Sequence, residues 1–318
     1  MHNQSYIKFI ADSINSAIEQ VDSILLYGEN INVGSCISGL ARGLKVNQSS
    51  KILNVGNCEL THIGLGMGIM ADGGHCVLFV KQLDFLLLGL DQMVNTFNYF
   101  RAFSNINKGG SFTIISLVCD HGFQGPQSSL NVASDISSLC NINTFCLNGR
   151  VDISNIIHNQ IVRPGFRLIC ASQRLLGGDL IDSPAQIVSS DNSIYKYHSG
   201  NDITVICFNF SLLHGIKLVK YLGTLSYVSD LFHINYIPKV DLTHILESCS
   251  RTQKLVLIDD SKSVVKFSDM ILSTLQASSN FPSISLLRDI STDKDYGVGK
   301  DEFTPDFEKV RYFIENLN

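Results

Sequence analysis

No Cys-x-x-Cys pair occurs in this 318-residue sequence, although it carries nine cysteines. Cys36, Cys58, Cys76, Cys119, Cys140, Cys146, Cys170, Cys207 and Cys249 are scattered. That argues against a disulfide framework or a zinc site and for buried thiols in a reducing compartment. Excess positive charge is also missing: the formal net charge is −5, so there is no basic footprint for nucleic acid. No run reaches the roughly 18 apolar residues needed to cross a bilayer. The apolar pieces Val77–Val80 and Phe85–Leu90 are separated by Lys81, Gln82 and Asp84. The opening MHNQSYIKFIADSINSAIEQ is amphipathic and lacks the basic-then-apolar layout of a signal peptide. There is no G-x-S-x-G elbow, no H-E-x-x-H run, no internal repeat and no low-complexity segment. These absences leave a soluble cytoplasmic protein with no membrane contact and no metal site of its own. The length holds two domains, each with its own core.

Strands and helices alternate along most of the chain. The first half predicts strands at Ser23–Tyr27, Lys51–Val55, His75–Val80, Phe112–Val118, Asn143–Leu147 and Arg167–Ala171. Helical spacing covers Ser5–Val21, Ser35–Leu44, the stretch from Glu59 to about Ala71, Leu83–Phe103, Val132–Leu139 and Ile153–Val162. Such alternation argues for an α/β fold with a parallel sheet covered on both faces. Residues 177–201 are polar, contain Gly177-Gly178 and Pro184, and read as a connection between domains 1–176 and 202–318. The second domain reads as a smaller α/β unit. Its strands are predicted at Ile203–Phe208, Asp230–Ile234, Lys254–Ile258 and Ser283–Leu287, with helices at Ser211–Leu222, Leu242–Ser250 and Ser263–Gln276. The tail from Thr292 is polar and is expected to wrap the surface.

The stretch Gly56–Arg101 organises the first domain. Gly66-Met67-Gly68-Ile69-Met70-Ala71 matches G-x-G-x-x-A. That dinucleotide fingerprint works only where a strand turns into a helix. Here the strand ends near Val55, so the glycines fall inside the helix and read as close packing. Glu59 opens that helix, a position the helix dipole favours for an acid. Its flanks Cys58, Leu60, Ile63 and Leu65 supply no basic partner, and the helix reads as buried all round. A carboxyl in such surroundings resists ionisation and can trade a proton with a buried ring nitrogen. His62, three residues on, shares a helix face with Glu59, which makes at most half a metal site.

Five pieces of the first 176 residues carry a family resemblance. They are Gly28-Glu29-Asn30; Glu59 with Gly64, Gly68 and Gly73; Phe85 followed by Asp91-Gln92-Met93-Val94-Asn95; Gly125-Pro126-Gln127; and Gln173-Arg174-Leu175-Leu176. They resemble the beta subunit of the thiamine-diphosphate-dependent decarboxylase component of 2-oxoacid dehydrogenases. The same pieces are similar to the corresponding parts of transketolases and deoxyxylulose-phosphate synthase. Asp202-Ile203-Thr204-Val205, Val240-Asp241 and Lys254-Leu255-Val256 resemble the C-terminal domain of that family.

The resemblance implies a pyrimidine-binding domain followed by a transketolase C-terminal-type domain. It implies that Glu59 hydrogen-bonds the cofactor's aminopyrimidine ring and so helps activate thiamine diphosphate, which carries the hard chemistry. Phe85 matches the residue that stacks on the pyrimidine, Glu29 contributes to cofactor binding, and Asp91 and Gln92 serve a subunit interface. The family's Gly-Asp-Gly motif for diphosphate and magnesium is absent: Gly-Asp occurs only in Gly178-Asp179-Leu180. The resemblance therefore implies an alpha-type partner that holds the magnesium, beta–beta self-association, and a heterotetramer. Ser128 stands where the family's loop carries a histidine, so Ser128 and His121 are the candidates for handling substrate oxygen. The family's glycine-rich turn is missing around Asp259-Asp260-Ser261-Lys262. The expected activity is cleavage or transfer of a two-carbon unit from a 2-oxoacid or a ketose. The alternatives are a split transketolase acting on sugars and a non-catalytic partner-binding subunit.

Overall fold

The computed structural model describes residues 4–103, 109–121, 130–189, 192–237, 240–277, 282–288 and 303–316. The first half builds a parallel sheet from β1 (Leu25–Gly28), β2 (Lys51–Asn54), β3 (His75–Val80), β4 (Ser111–Val118), β5 (Asn143–Leu147) and β6 (Gly165–Ser172), in the order β5-β6-β4-β3-β1-β2. β4 lies inside the sheet and is buried at every position, as an unbroken apolar run dictates for a strand covered on both faces. One face carries α1 (Tyr6–Ile18) together with α5 (Arg150–Gln160). The other carries α2 (Glu59–Ala71), α3 (Phe97–Phe103) and α4 (Ala133–Cys140).

The second sheet contains β7 (Gln186–Ile187), β8 (Ile194–His198), β9 (Ile203–Phe208), β10 (Ser229–Ile234), β12 (Lys254–Asp259) and β13 (Ser283–Arg288), in the order β13-β12-β9-β10-β8-β7. β13, β12, β9 and β10 are parallel, whereas β8 and β7 are antiparallel additions. Residues 177–201 thus supply two strands of this sheet. Helices α6 (Leu212–Thr224) and α9 (Phe307–Glu315) cover one face, α7 (Thr243–Thr252) and α8 (Phe267–Gln276) the other. One residue after β10, the short strand β11 (Tyr236–Ile237) crosses over and pairs antiparallel with β5. Tyr236 stacks on Phe145 with ring centroids 4.9 Å apart. The second half of the chain therefore completes an edge of the first sheet, and the architecture is α/β with two mostly parallel sheets. Among the described residues no helix is long and apolar enough to cross a membrane.

Four expectations change. Ser35–Leu44 is not a helix: Gly34, Cys36, Ile37, Ser38 and Gly39 all have positive φ, a left-handed run that costs about 1–2 kcal/mol for each residue with a side chain. The helix expected over Leu83–Phe103 runs through without a break but changes pitch along its length: a 3-10 segment (Leu83–Gly89), an α link at Leu90 and Asp91, a π turn (Gln92–Thr96) and α3. The burial pattern explains the change. Leu83, Leu86 and Gly89 are buried at steps of three, the 3-10 period, while Met93 and Phe97 follow at steps of four. The helix α2 is not buried all round: Leu60 and Leu65 are 45% and 42% exposed. The tail is not merely polar covering, because α9 inserts Val310 and Ile314 into the second core.

Candidate functional site

The carboxyl ends of β1 and β3 meet the N-terminus of α2 and the 3-10 segment. In open α/β sheets this is the edge at which ligands are taken. Gly28 ends β1, where a Cβ would sit 2.4 Å from the carbonyl oxygen of Phe79. Only glycine permits that approach, and it delivers Glu29 into the turn beside β3. Asn30 follows with φ 57° and donates to Glu29 Oε1 at 3.4 Å. Glu59 is the first residue of α2, and its N-cap, Cys58, makes no capping hydrogen bond; the Cys58 thiol instead lies 2.9 Å from Thr61 Oγ1.

These elements form one cleft lined by Glu29, Glu59, His62, Lys81 and Phe85. Glu29, Glu59 and Phe85 are half-buried and Lys81 is exposed. The Glu59 carboxylate accepts no hydrogen bond from any described residue. His62 is held below the usual histidine value by burial, against the opposing pull of Glu59 and Glu29, so a neutral imidazole stands beside the acid at neutral pH. Tyr27 steadies that turn, donating to the His62 carbonyl at 2.7 Å and meeting its ring edge-on at 6.5 Å. The cleft encloses only about 20 Å³, the room of a water molecule or two. A larger, open depression of about 740 Å³ lies at the opposite, amino ends of the strands, around Ser23, Lys51 and His75. It is wide but sits on the wrong edge of the sheet for the chemistry expected here.

The sequence-derived candidates divide. Glu29, Glu59 and Phe85 are brought together. Asp91 and Gln92 lie outside the cleft: Asp91 is exposed and accepts from Asn95 at 2.8 Å, while Gln92 packs on Gly64 and accepts from Thr96 at 2.6 Å. His121 is exposed at the end of the turn after β4 and is not among the residues lining the cleft. Ser128, with Gly125, Pro126 and Gln127, falls outside the described residues. Of the fingerprint glycines, Gly66 is packed against Phe112, whereas Gly68 faces open space. Lys81 was not singled out from sequence; the signal was its place at the carboxyl end of an apolar strand. Among the described residues no cluster of three or more His, Cys, Asp or Glu is placed to hold a metal.

The donor set fits an aminopyrimidine: a carboxylate with no internal partner, an aromatic ring in the same cleft, and a neutral imidazole behind the acid.

No family model matches the sequence. The chain is 20% identical over 266 residues to the beta subunit of acetoin:2,6-dichlorophenolindophenol oxidoreductase from Cupriavidus necator, a match that covers 78% of each chain. It superposes on a split-gene transketolase, described as an inactive beta4 tetramer, with a TM-score of 0.73 and 12% identity over 97% of this chain and 96% of that one. The chain therefore has a transketolase-like fold and is similar along most of its length to the beta subunit of an acetoin oxidoreductase.

Proposed function

We propose that this chain is the beta-type half of a thiamine-diphosphate-dependent enzyme that cleaves or transfers a two-carbon unit from a 2-oxoacid or ketose, active only with an alpha-type partner. The observation that carries the reading is the unengaged Glu59 carboxylate sharing a cleft with the Phe85 ring. When bound, thiamine diphosphate supplies the electron sink that two-carbon chemistry requires. Glu59 then holds or moves the proton at the pyrimidine ring nitrogen. Phe85 would supply an apolar contact for the ring, and Glu29 would offer a second acceptor in the same cleft. His62, held below the usual histidine value, does not itself neutralise Glu59, and Lys81 lines the same cleft. His121 and Ser128 remain the candidates for substrate oxygen.

Two features support a partner chain. The cleft of about 20 Å³ provides one wall of a cofactor site, not a whole one. On α2 and on the helical stretch after β3, Leu60, Leu65, Leu87, Leu88, Tyr99 and Phe103 are between 42% and 75% exposed, and exposed apolar surface of this kind supports a protein interface. Asp91 and Gln92 border it and belong to that interface. The diphosphate and magnesium fall to the partner, since this chain offers no Gly-Asp-Gly motif. The solved relative is described as both a beta4 tetramer and inactive, which agrees with a beta chain that self-associates and lacks a complete site. The split-transketolase variant of the reading, in which the donor is a sugar, is equally compatible with these relatives. All nine cysteines are free thiols, which suits the reducing cytoplasm.

The test is co-purification with an alpha-type chain carrying a Gly-Asp-Gly motif, followed by calorimetry with thiamine diphosphate and magnesium. Binding by the pair and none by this chain alone is expected. A pair that assembles without binding the cofactor contradicts the reading and leaves a non-catalytic subunit.

A further inference from the structure

The stretch Asp259-Asp260-Ser261-Lys262, where the sequence departs from the family it resembles, is turned inward. Asp259 and Asp260 are 1% and 4% exposed, so neither is a surface docking feature. They lie where the carboxyl ends of β9 and β12 face those of β4 and β6. Asp260 uses both carboxylate oxygens. Oδ1 accepts from Asn209 Nδ2 at 3.0 Å and from the Phe210 amide at 3.1 Å, and Oδ2 accepts from Arg174 Nη2 at 2.8 Å. Its backbone carbonyl accepts from Asn131 Nδ2 at 2.8 Å. Asn131 also accepts from Asn209 Nδ2 at 2.7 Å and, through its carbonyl, from the Lys262 amide at 2.8 Å.

Arg174 carries the connection to the other stem. Its guanidinium joins Asp260 to Asp120, at 2.8 and 3.7 Å, with both acids almost fully buried. Its backbone amide donates to Asp120 Oδ1 at 2.9 Å, and Ser172 Oγ donates to Asp120 Oδ2 at 2.6 Å. Asn131 is thus bonded to Asp260 directly, whereas Asp120 is bonded by Ser172 and the Arg174 amide and reaches Asp260 only through the Arg174 guanidinium, 3.7 Å away. Asp120 and Asn131 are the described stems, one beside His121 and the other beside Leu130, of the stretch that carries the remaining sequence-derived candidates. Burying two carboxylates on one guanidinium is a poor way to gain stability, because apolar side chains of the same volume do as well. What such a node supplies is a fixed geometry.

We propose that Asp260 is a positioning residue: through Arg174 and Asn131 the second domain fixes both stems, at Asp120 and Asn131, and so sets how His121 is presented to the reaction. This rests on the reading of the chain as a thiamine-diphosphate-dependent beta subunit, but the clamp itself does not. It also gives the second domain a task in catalysis that is separate from partner binding.

The test compares Asp260→Asn, which keeps shape and removes the ion pair, with Asp152→Asn. Asp152 is another buried acid at the domain junction, 3.5 Å from His233, with no bond to either stem. In the isolated chain, Asp260→Asn raises hydrogen–deuterium exchange of the peptides at Cys119–His121 and Leu130–Ser134 by about tenfold or more, with exchange in Glu59–Ala71 unchanged. Asp152→Asn lowers the melting temperature without loosening the stems. Arg174→Lys, which keeps the charge but loses the fork, behaves like a weaker Asp260→Asn and carries the test if that variant folds poorly. In the assembled pair, Asp260→Asn lowers kcat by about 10- to 100-fold and leaves the cofactor Kd within about twofold of wild type. Unchanged exchange at the stems overturns the clamp, whatever the enzyme does. Loosened stems with an unchanged kcat overturn the positioning role while leaving the proposed function standing. Equal losses of kcat in Asp260→Asn and Asp152→Asn at equal loss of melting temperature reduce the node to domain glue. A wild-type pair that never turns over counts against the proposed function, and exchange then decides the clamp alone.

Discussion

Gly66→Ala puts a methyl carbon 2.4 Å from two carbons of the Phe112 ring and 2.6 Å from a third. The ring has no free space to yield into. Phe112 is fully buried, stacks on Phe166 at 5.0 Å with 14° between planes, and Phe166 meets Phe97 edge-on at 5.1 Å. Relief requires moving a stack of three rings between the sheet and α3. Overpacking of this kind costs about 1–3 kcal/mol, and the contact is close enough to take the upper end. Alanine's better helix propensity offsets about 1 kcal/mol, which leaves a net loss of about 2 kcal/mol. At about 2–4 °C per kcal/mol, the melting temperature falls by about 4–8 °C. Gly68→Ala is the matched control. A Cβ there meets nothing within 4 Å, so the isolated chain gains up to about 1 kcal/mol. Urea midpoints and thermal melts of the two variants decide the matter. A Gly66→Ala chain as stable as wild type, or a Gly68→Ala chain destabilised alongside it, refutes the packing explanation of these glycines.

Acid should weaken the fold in a defined window. His62 and His75 are both held below the ordinary 6.5, His62 by burial against Glu59 and Glu29, His75 by burial and then by Arg167. As pH falls through 6.5 the unfolded imidazoles take up protons first, so the unfolded state binds more protons and stability, complete above that value, declines below it. The urea midpoint should be lower at about pH 5.5 than at about pH 7.5, and His62→Gln should narrow the gap; a midpoint that rises on acidification contradicts this. Leu88 is 64% exposed, so Leu88→Asp should change the chain's own stability by less than about 0.5 kcal/mol while reducing assembly measured by sedimentation. Undiminished assembly would remove this face from the interface.

The fold was legible where one signal dominated. β3, β5 and β9 run over the residues their patterns predict, because buried strands are continuous apolar runs bounded by turn residues. The continuous helix at Leu83–Phe103 is legible in the sequence, but its changes of pitch are not. Its apolar density suits a helix of any pitch, and only packing against Ile63 and the sheet selects steps of three, then four. There Gly89 lets Ile63 pack close, since a Cβ would meet Ile63 Cδ1 at 2.2 Å and push that methyl aside. Strands β7 and β11 give little sequence signal because each is two residues long at a sheet edge, and β8, antiparallel between β10 and β7, is only half apolar. In the cleft, Glu59 stood out as an acid without a local partner and Phe85 only through the resemblance; the structure puts both in the lining. Lys81 did not stand out, because an exposed lysine gives no pattern until the fold puts it beside two acids. The Asp260 node was legible only as a departure from a motif; its partners Asp120, Asn131 and Arg174 come from three other places in the chain.

Turnover of the assembled pair with Glu59→Gln tests the central claim most directly. Glutamine keeps the size and a hydrogen-bonding oxygen but can neither accept nor deliver the proton. The account predicts that kcat falls by about 10²- to 10⁴-fold, the range of a positioned acid–base group, while calorimetry shows thiamine diphosphate still bound with a far smaller change in Kd. Unchanged turnover by that variant would contradict it.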